Sequence, residues 1–111
     1  MSIVSTEYLK QHTRFDEGID DETYLRQEGD NAEAFVARAC QWRDQGAFRA
    51  AVSDGGELHN LYLQAVCMLT DYWITTTRSA GTMQQIHVAP LGVTALIAQM
   101  RELVHTNDGR I

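Results

Sequence analysis

The stretch from Glu57 to Arg78 is the feature that most constrains how this chain of 111 residues can fold. Its apolar residues recur at three- and four-residue steps, which predicts a helix with one broad hydrophobic face. The residues of this face are Leu58, Leu61, Tyr62, Ala65, Met68, Leu69, Tyr72 and Trp73, and those that extend the apolar surface round the other side are Leu63, Cys67 and Ile74. A helix this apolar must be covered on most sides, and we expect part of that cover to come from another subunit.

The same stretch is too polar for a membrane span. A transmembrane helix needs about 20 consecutive apolar residues, and Gln64, Thr70 and Asp71 interrupt the run. The first nine residues have neither the basic start nor the apolar run of a secretory signal. We therefore expect one domain over residues 1–111, with Cys40 and Cys67 as buried thiols in a reducing compartment.

A short first helix is predicted at the start of the chain. Ser5 or Thr6 can cap it, because a hydroxyl group there accepts a hydrogen bond from the first turn, and the helix ends near His12. A polar connector follows from Thr13 to Asp20, with Gly18 as a turn residue.

The second helix has the longest regular pattern. Asp20 or Asp21 can cap it, the pattern continues to about Asp44, and Gly46 ends it. Gly29 lies inside it at a cost of about 1 kcal/mol relative to Ala, and the sequence leaves open whether the helix kinks or breaks at Gly29-Asp30. The residues that share its inward phase are Tyr24, Leu25, Glu28, Ala32, Phe35, Val36, Ala39, Cys40 and Arg43.

The remaining segments complete an all-α prediction. Ala47 to Gly56 fits either a helical turn or an extended arm before a glycine break. Ser79 to Ala89 is a long loop, Pro90 suits the first turn of a last helix, and the tail from His105 to Ile111 is expected to fray. The inward residues of the last helix are Leu91, Val93, Leu96, Ile97, Met100, Leu103 and Val104. The predicted fold is a bundle of three main helices plus a short N-terminal one.

The negative charge of the chain is concentrated in its first third. Through Glu33, nine acidic residues face three basic ones, whereas six acids balance six arginines beyond it, so this part carries the whole formal charge of -6. No basic patch is dense enough to bind a nucleic-acid backbone, and an acidic surface repels DNA.

No motif predicts catalysis, a cofactor or a metal site. The four histidines have no metal-ligand spacing, and neither cysteine has a CxxC partner. Gly55-Gly56 lacks the Lys-Ser/Thr that follows the glycines of a phosphate-binding loop. We therefore expect no enzyme activity, no catalytic residues, no cofactor and no metal ion.

Two features suit either core packing or a subunit interface. Tyr72 and Trp73 end the apolar helix, and Tyr, Trp, Met and Arg are enriched at interfaces. The loop that follows has apolar residues at Met83, Ile86 and Val88, so it could add as a strand to a partner.

Several short segments occur in a characteristic order. They are Tyr8-Leu9-Lys10, the acidic connector from Arg14-Phe15-Asp16 to Asp20-Asp21, the alanines Ala32, Ala34, Ala37 and Ala39, the run Ala65-Val66-Cys67-Met68-Leu69 leading to Tyr72-Trp73, and Pro90-Leu91-Gly92-Val93 leading to Leu96-Ile97 and Arg101. In this order the chain resembles the small head–tail connector (adaptor) proteins of tailed bacteriophages and prophages. It departs from them at Thr75-Thr76-Thr77-Arg78, where the family often has a Glu-Asn-Arg-like end, and at Gly29-Asp30.

The resemblance implies a structural virion protein. Copies would form a ring beneath the portal, with the portal's symmetry, that extends the DNA channel and joins head to tail. Its partners would be itself, the portal protein and a tail, stopper or head-closure protein. DNA would pass without specific binding, and no membrane would be involved. The protein would be found at the head–tail junction of the virion and, during assembly, in the host cytoplasm.

A ring also implies two different contact faces on each subunit. For the subunit or portal interface we expect Tyr72, Trp73 and Arg78 on one side and Met83, Ile86 and Val88 on the other. The alternative hypothesis is a small cytoplasmic helical binding module, antitoxin-like or regulatory, that acts as a dimer and has no affinity for a portal.

Overall fold

Five α-helices form the regular structure of the computed structural model, which describes residues 3–16, 18, 21–41, 45–53, 55–80 and 90–106, with the side chains of 77–80 and 103–106 excepted. The helices are α1 (Thr6–His12), α2 (Glu22–Ala39), α3 (Gln45–Ser53), α4 (Gly56–Ala80) and α5 (Leu91–Thr106). The described residues contain no strand, and the all-α prediction is confirmed. One helix, α3, is additional to the three main helices and the short leading one that the sequence predicts.

Helix α4 lies at the centre of the fold, because α1, α2, α3 and α5 all pack against it. Its residues Tyr62, Leu69 and Trp73 are at most 2 % exposed. Helices α1 and α3 add cover to sides of α4 that a bundle of three helices would leave open, while Leu61, Leu63 and Met68 stay partly or largely exposed; that another subunit covers them stays a prediction.

The predicted starts of α1 and α2 are confirmed by their caps. The Ser5 hydroxyl accepts a hydrogen bond from the Tyr8 N–H at 3.1 Å, and the Asp21 carboxylate accepts one from the Thr23 N–H at 3.0 Å. Helix α2 continues through Gly29 without a break. The missing side chain there lets Leu9 of α1 approach, because a Cβ atom on Gly29 would overlap Leu9 Cδ1.

Helix α2 ends at Ala39, so the predicted end near Asp44 is wrong. Gln41 follows with a φ angle of 59°, a left-handed conformation that stops the helix. The carbonyl oxygen of Ala39 accepts hydrogen bonds from Nε and Nη2 of Arg101 at 2.9 and 2.6 Å, which gives a free carbonyl of the last turn a partner on α5.

The segment that the sequence left ambiguous contains α3. Phe48 is 2 % exposed, and its ring meets that of Tyr62 edge-on with the centroids 5.9 Å apart. Gly46, which was expected to end α2, lies inside α3 instead. Gly55 and Gly56 have φ angles of 84° and 88°, which confirms the predicted glycine break.

Helices α4 and α5 both extend further than predicted, so the first residues of the predicted long loop and of the predicted tail are helical. Helix α4 continues to Ala80, because no helix breaker occurs before Gly81. Helix α5 continues to Thr106 and so includes His105 and Thr106, the first two residues of the predicted tail. Residues 81–89 and 107–111 lie outside the described residues.

Candidate functional site

The structure places two of the predicted interface residues next to each other on α4. Trp73 is 2 % exposed, and its ring meets that of Phe35 on α2 edge-on, with the centroids 5.8 Å apart. Tyr72 is half-buried. Arg78 belongs to α4, but its side chain is among those not described, and Met83, Ile86 and Val88 lie outside the described residues.

Trp73 and Tyr72 therefore differ in how much of their side chains a second protein could contact. Trp73 joins α2 to α4 in the core, so in this conformation it has almost no surface to offer a second protein. Tyr72 does reach the surface. The assignment of all six residues to an interface stays a prediction.

Two large apolar side chains are exposed in the described part of the chain, Met68 at 38 % and Leu91 at 85 %. Both were expected to face inward. Met68 instead lies between Gln64 and Asp71 on the polar stripe of α4. Leu91 lies two positions before the buried Val93, about 200° round the helix from it.

Met68 and Leu91 border the contact between α4 and α5. A Cβ atom on Gly92, the residue after Leu91, would lie 2.9 Å from Met68 Cε. The start of α5 therefore contacts the Met68 side chain, and Leu91 closely follows residues 81–89 in the chain.

An ion pair fixes the connector after α1 to the middle of α4. Nε and Nη2 of Arg14 donate to the Asp71 carboxylate at 3.0 and 2.7 Å, and the Arg14 backbone N–H donates to it at 2.7 Å. The hydrogen bonds and the charge of Asp71 raise the pKa of Arg14. Sequence reasoning did not pair these residues; the available signal was an acidic residue at the edge of a very apolar helix.

A second polar cluster lies deeper, around the carboxylate of Glu33. Its oxygens accept hydrogen bonds from the backbone N–H groups of Ile3 and Val4 at 3.0 and 3.2 Å and from the Tyr62 hydroxyl at 2.8 Å. Nη2 of Arg26 lies 3.4 Å away and balances the charge. The cluster ties the start of the chain to α2 and α4, and sequence reasoning counted Glu33 only among the acids of the first third.

The Glu33 cluster supplies hydrogen bonds and no evident reactive group. Burial and the neighbouring Glu33 carboxylate raise the pKa of Tyr62, so its phenol stays protonated and acts as a donor. Burial also raises the pKa of the Cys40 and Cys67 thiols to about 12. Neither thiol is ionised near neutral pH, which disfavours a nucleophilic role for both.

A hollow of about 750 Å³ lies between α1 and the start of α2. Its lining is polar, and Arg26 within it already contacts Asp30 at 2.9 Å and the carbonyl oxygen of Val4 at 2.8 Å. Among the described residues, no group of three or more His, Cys, Asp and Glu side chains could hold a metal ion.

Helix length and hydropathy bear on the membrane question. Within the described ranges, none of the helices combines the length and the apolar character that crossing a membrane requires. Comparison of the chain with protein-family models, with curated proteins and with solved structures gives no match.

Proposed function

We propose that the protein is a head–tail connector that forms a ring beneath the portal of a tailed bacteriophage or prophage. Two kinds of observation support the proposal. The segments that resemble the family are carried by helices of this fold in the same order, on α1, α2, α4 and α5. The fold also presents apolar side chains on a surface where a partner could bind.

The observation that carries the proposal is the exposure of Leu91, at 85 %, beside the partly exposed Met68. Single exposed apolar residues are common on protein surfaces. Here, however, Gly92, the residue after Leu91, lies against Met68, and Leu91 closely follows in sequence the segment expected to contact the portal. We assign this surface to portal binding, together with Tyr72, Arg78, Met83, Ile86 and Val88, while Trp73 supports it from the core.

The charge distribution fits a channel through which DNA passes. The acidic first third contributes α1 and most of α2, and its residues Glu7, Asp21 and Glu22 are exposed. A lumen lined by such residues would repel the DNA backbone and keep it from binding.

The test is mass determination by light scattering over a concentration series, with and without the portal protein of the same phage or prophage. The wild-type protein is expected to form a closed ring, or a complex that matches the portal's symmetry. The informative variant is Leu91→Glu, and Gln99→Glu is its control, because both positions are exposed on α5 and both changes add one negative charge.

Leu91→Glu should leave the fold intact. The first turn of α5 has no acidic residue, and an acid there stabilises a helix by about 0.3 to 1 kcal/mol. Loss of portal binding in this variant, with binding retained in Gln99→Glu, would support the proposal. A stable wild-type dimer that ignores the portal would contradict it and favour a regulatory binding module.

A further inference from the structure

A hollow of about 400 Å³ lies between α1 and the middle of α4. We call it the α1–α4 groove. Its α4 side is formed by residues at three- and four-residue steps from Asn60 to Asp71, which span about 16 Å at 1.5 Å per residue. Its α1 side is formed by Tyr8 and His12, one turn apart, whose rings stack with the centroids 4.1 Å apart.

The least exposed lining residues of the α1–α4 groove are apolar, and most of the exposed ones are polar. Cys67 is buried, and Tyr8 and Leu63 are half-buried, so these side chains form the floor. Asn60 and Gln64 are exposed and belong to the rim. An apolar centre within a polar rim is the usual anatomy of a contact between proteins.

Charge at the α1–α4 groove is balanced. Asp71 is the one acidic residue among its described lining residues, and Nη2 of Arg14 pairs with it at 2.7 Å. No lysine or arginine occurs among the same lining residues. A charged group that entered the groove would lose its hydration without gaining a counter-ion, so the groove suits an uncharged partner.

The α1–α4 groove borders the surface that is assigned to portal binding. Met68 belongs to both, because it lines the groove and its Cε lies 2.9 Å from where a Cβ atom on Gly92 would be. Leu91, the residue before Gly92, is the most exposed large apolar side chain in the described part of the chain. A partner that covers Leu91 and Met68 therefore also reaches the groove.

The shape of the groove indicates its occupant. A groove about three turns long between two helices takes a third helix, whose apolar side chains enter it from successive turns. Within the described residues, a second copy of this chain offers no such helix. Its exposed large apolar side chains there are Met68, which lines the groove itself, and Leu91, a single residue at the start of α5. This favours a helix from a different protein.

We propose that the α1–α4 groove binds the apolar face of an α-helix of the portal protein. The inference rests on the proposed connector function and names the kind of element that this surface recognises. Apolar side chains of the portal helix, spaced three or four residues apart, contact Tyr8, Leu63 and Met68, and the uncharged rim closes over its sides.

The test measures portal binding by isothermal titration calorimetry for wild type, Gln64→Glu and Gln64→Leu. Gln64→Glu keeps the size of the side chain and should weaken binding about tenfold or more, because its charge is desolvated against an apolar helix. Gln64→Leu should bind at least as tightly as wild type, because it adds apolar area at the rim. Gln99→Glu is the matched control, since it makes the same change at another exposed helical position, and its binding should be unchanged.

These substitutions should leave the fold intact, because Gln, Glu and Leu have similar helix propensities, and circular dichroism checks this. A Gln64→Leu variant that binds as weakly as Gln64→Glu would overturn the inference, because the portal would then read the amide and not an apolar surface. Gln64→Glu that binds the portal normally, while Leu91→Glu does not, would overturn the groove contact and leave the connector function standing.

Light scattering on the same variants identifies a second copy as the occupant. Loss of self-association in Gln64→Glu with portal binding retained would overturn the inference, because the groove would then join two copies of this chain. A wild-type protein that does not bind the portal at all would overturn both the groove contact and the connector function.

Discussion

Gly29 lies inside α2, and Gly29→Ala tests whether the close approach of Leu9 on α1 requires a glycine at this position. In an exposed helix this change is stabilising by about 0.5 to 1 kcal/mol, because glycine loses more backbone freedom on folding. At position 29 the new Cβ atom would overlap Leu9 Cδ1 and lie 3.2 Å from Arg26 Nη2.

The magnitude follows from two opposed terms. Leu9 is 0 % exposed, so its side chain has no open space into which to move. Overpacking of this kind costs about 1 to 3 kcal/mol, which exceeds the gain in helix propensity. We expect Gly29→Ala to lower the free energy of unfolding by about 1 kcal/mol, which corresponds to roughly 4 °C in the melting temperature of a chain this size.

Gly92→Ala is the matched control. Its Cβ atom would lie 2.9 Å from Met68 Cε, the end of a flexible side chain that is 38 % exposed and can move into solvent. The same substitution in a helix should therefore be stabilising here, by about 0.5 kcal/mol. The two variants should have opposite signs.

Urea unfolding at low protein concentration, followed by circular dichroism and tryptophan fluorescence, measures both effects. A double-mutant cycle adds the test of cause: on a Leu9→Ala background, Gly29→Ala should become stabilising, because the atom that it meets is gone. If Gly29→Ala stabilises the wild-type protein as much as Gly92→Ala does, the packing argument is wrong.

Three further predictions concern polar groups of the fold and can be measured by the same unfolding assay. Glu33→Gln should cost about 2 kcal/mol and Tyr62→Phe about 1 kcal/mol, since the first leaves several donors poorly matched and the second removes one bond; equal costs would contradict the central role of the carboxylate. Arg101→Lys should cost about 0.5 to 1 kcal/mol through loss of the two-pronged bond to the end of α2, and an unchanged free energy would show that this bond contributes nothing. Because burial raises the pKa of the Cys40 thiol from 9.0 to about 12, the folded state keeps its proton, and stability should fall by up to about 1.4 kcal/mol per pH unit as the pH rises above 9 towards 12. Cys40→Ala should reduce that slope, and an identical slope in the variant would refute the assignment.

The fold class could be predicted because helix periodicity and capping are local. The bounds of α1 and the start of α2 depend on single side chains such as Ser5 and Asp21, which the sequence displays directly. The end of α2 depends instead on a long-range contact with Arg101 and on a left-handed Gln41, neither of which has a local signature. Helix α3 was missed as a definite element because its apolar pattern is short and is stabilised mainly by packing of Phe48 on Tyr62.

The candidate surface could be predicted only in part. The apolar pattern predicts that Tyr72 and Trp73 pack against something. Whether each packs in the core or lies at the surface depends on where the other helices lie around α4. The exposure of Met68 and Leu91 follows from their rotation about the helix axes relative to neighbours far away in the sequence. The Glu33 cluster joins residues about 30 positions apart, which no spacing rule relates.

The central place of α4 has a consequence for how the chain folds. Since the other helices of the same chain cover α4, the polypeptide can complete its folding as a first-order reaction, without waiting for a neighbour. Refolding rates should then be independent of protein concentration, unlike those of subunits that exchange or share their cores. The association proposed above would then be a separate, second-order step that follows folding.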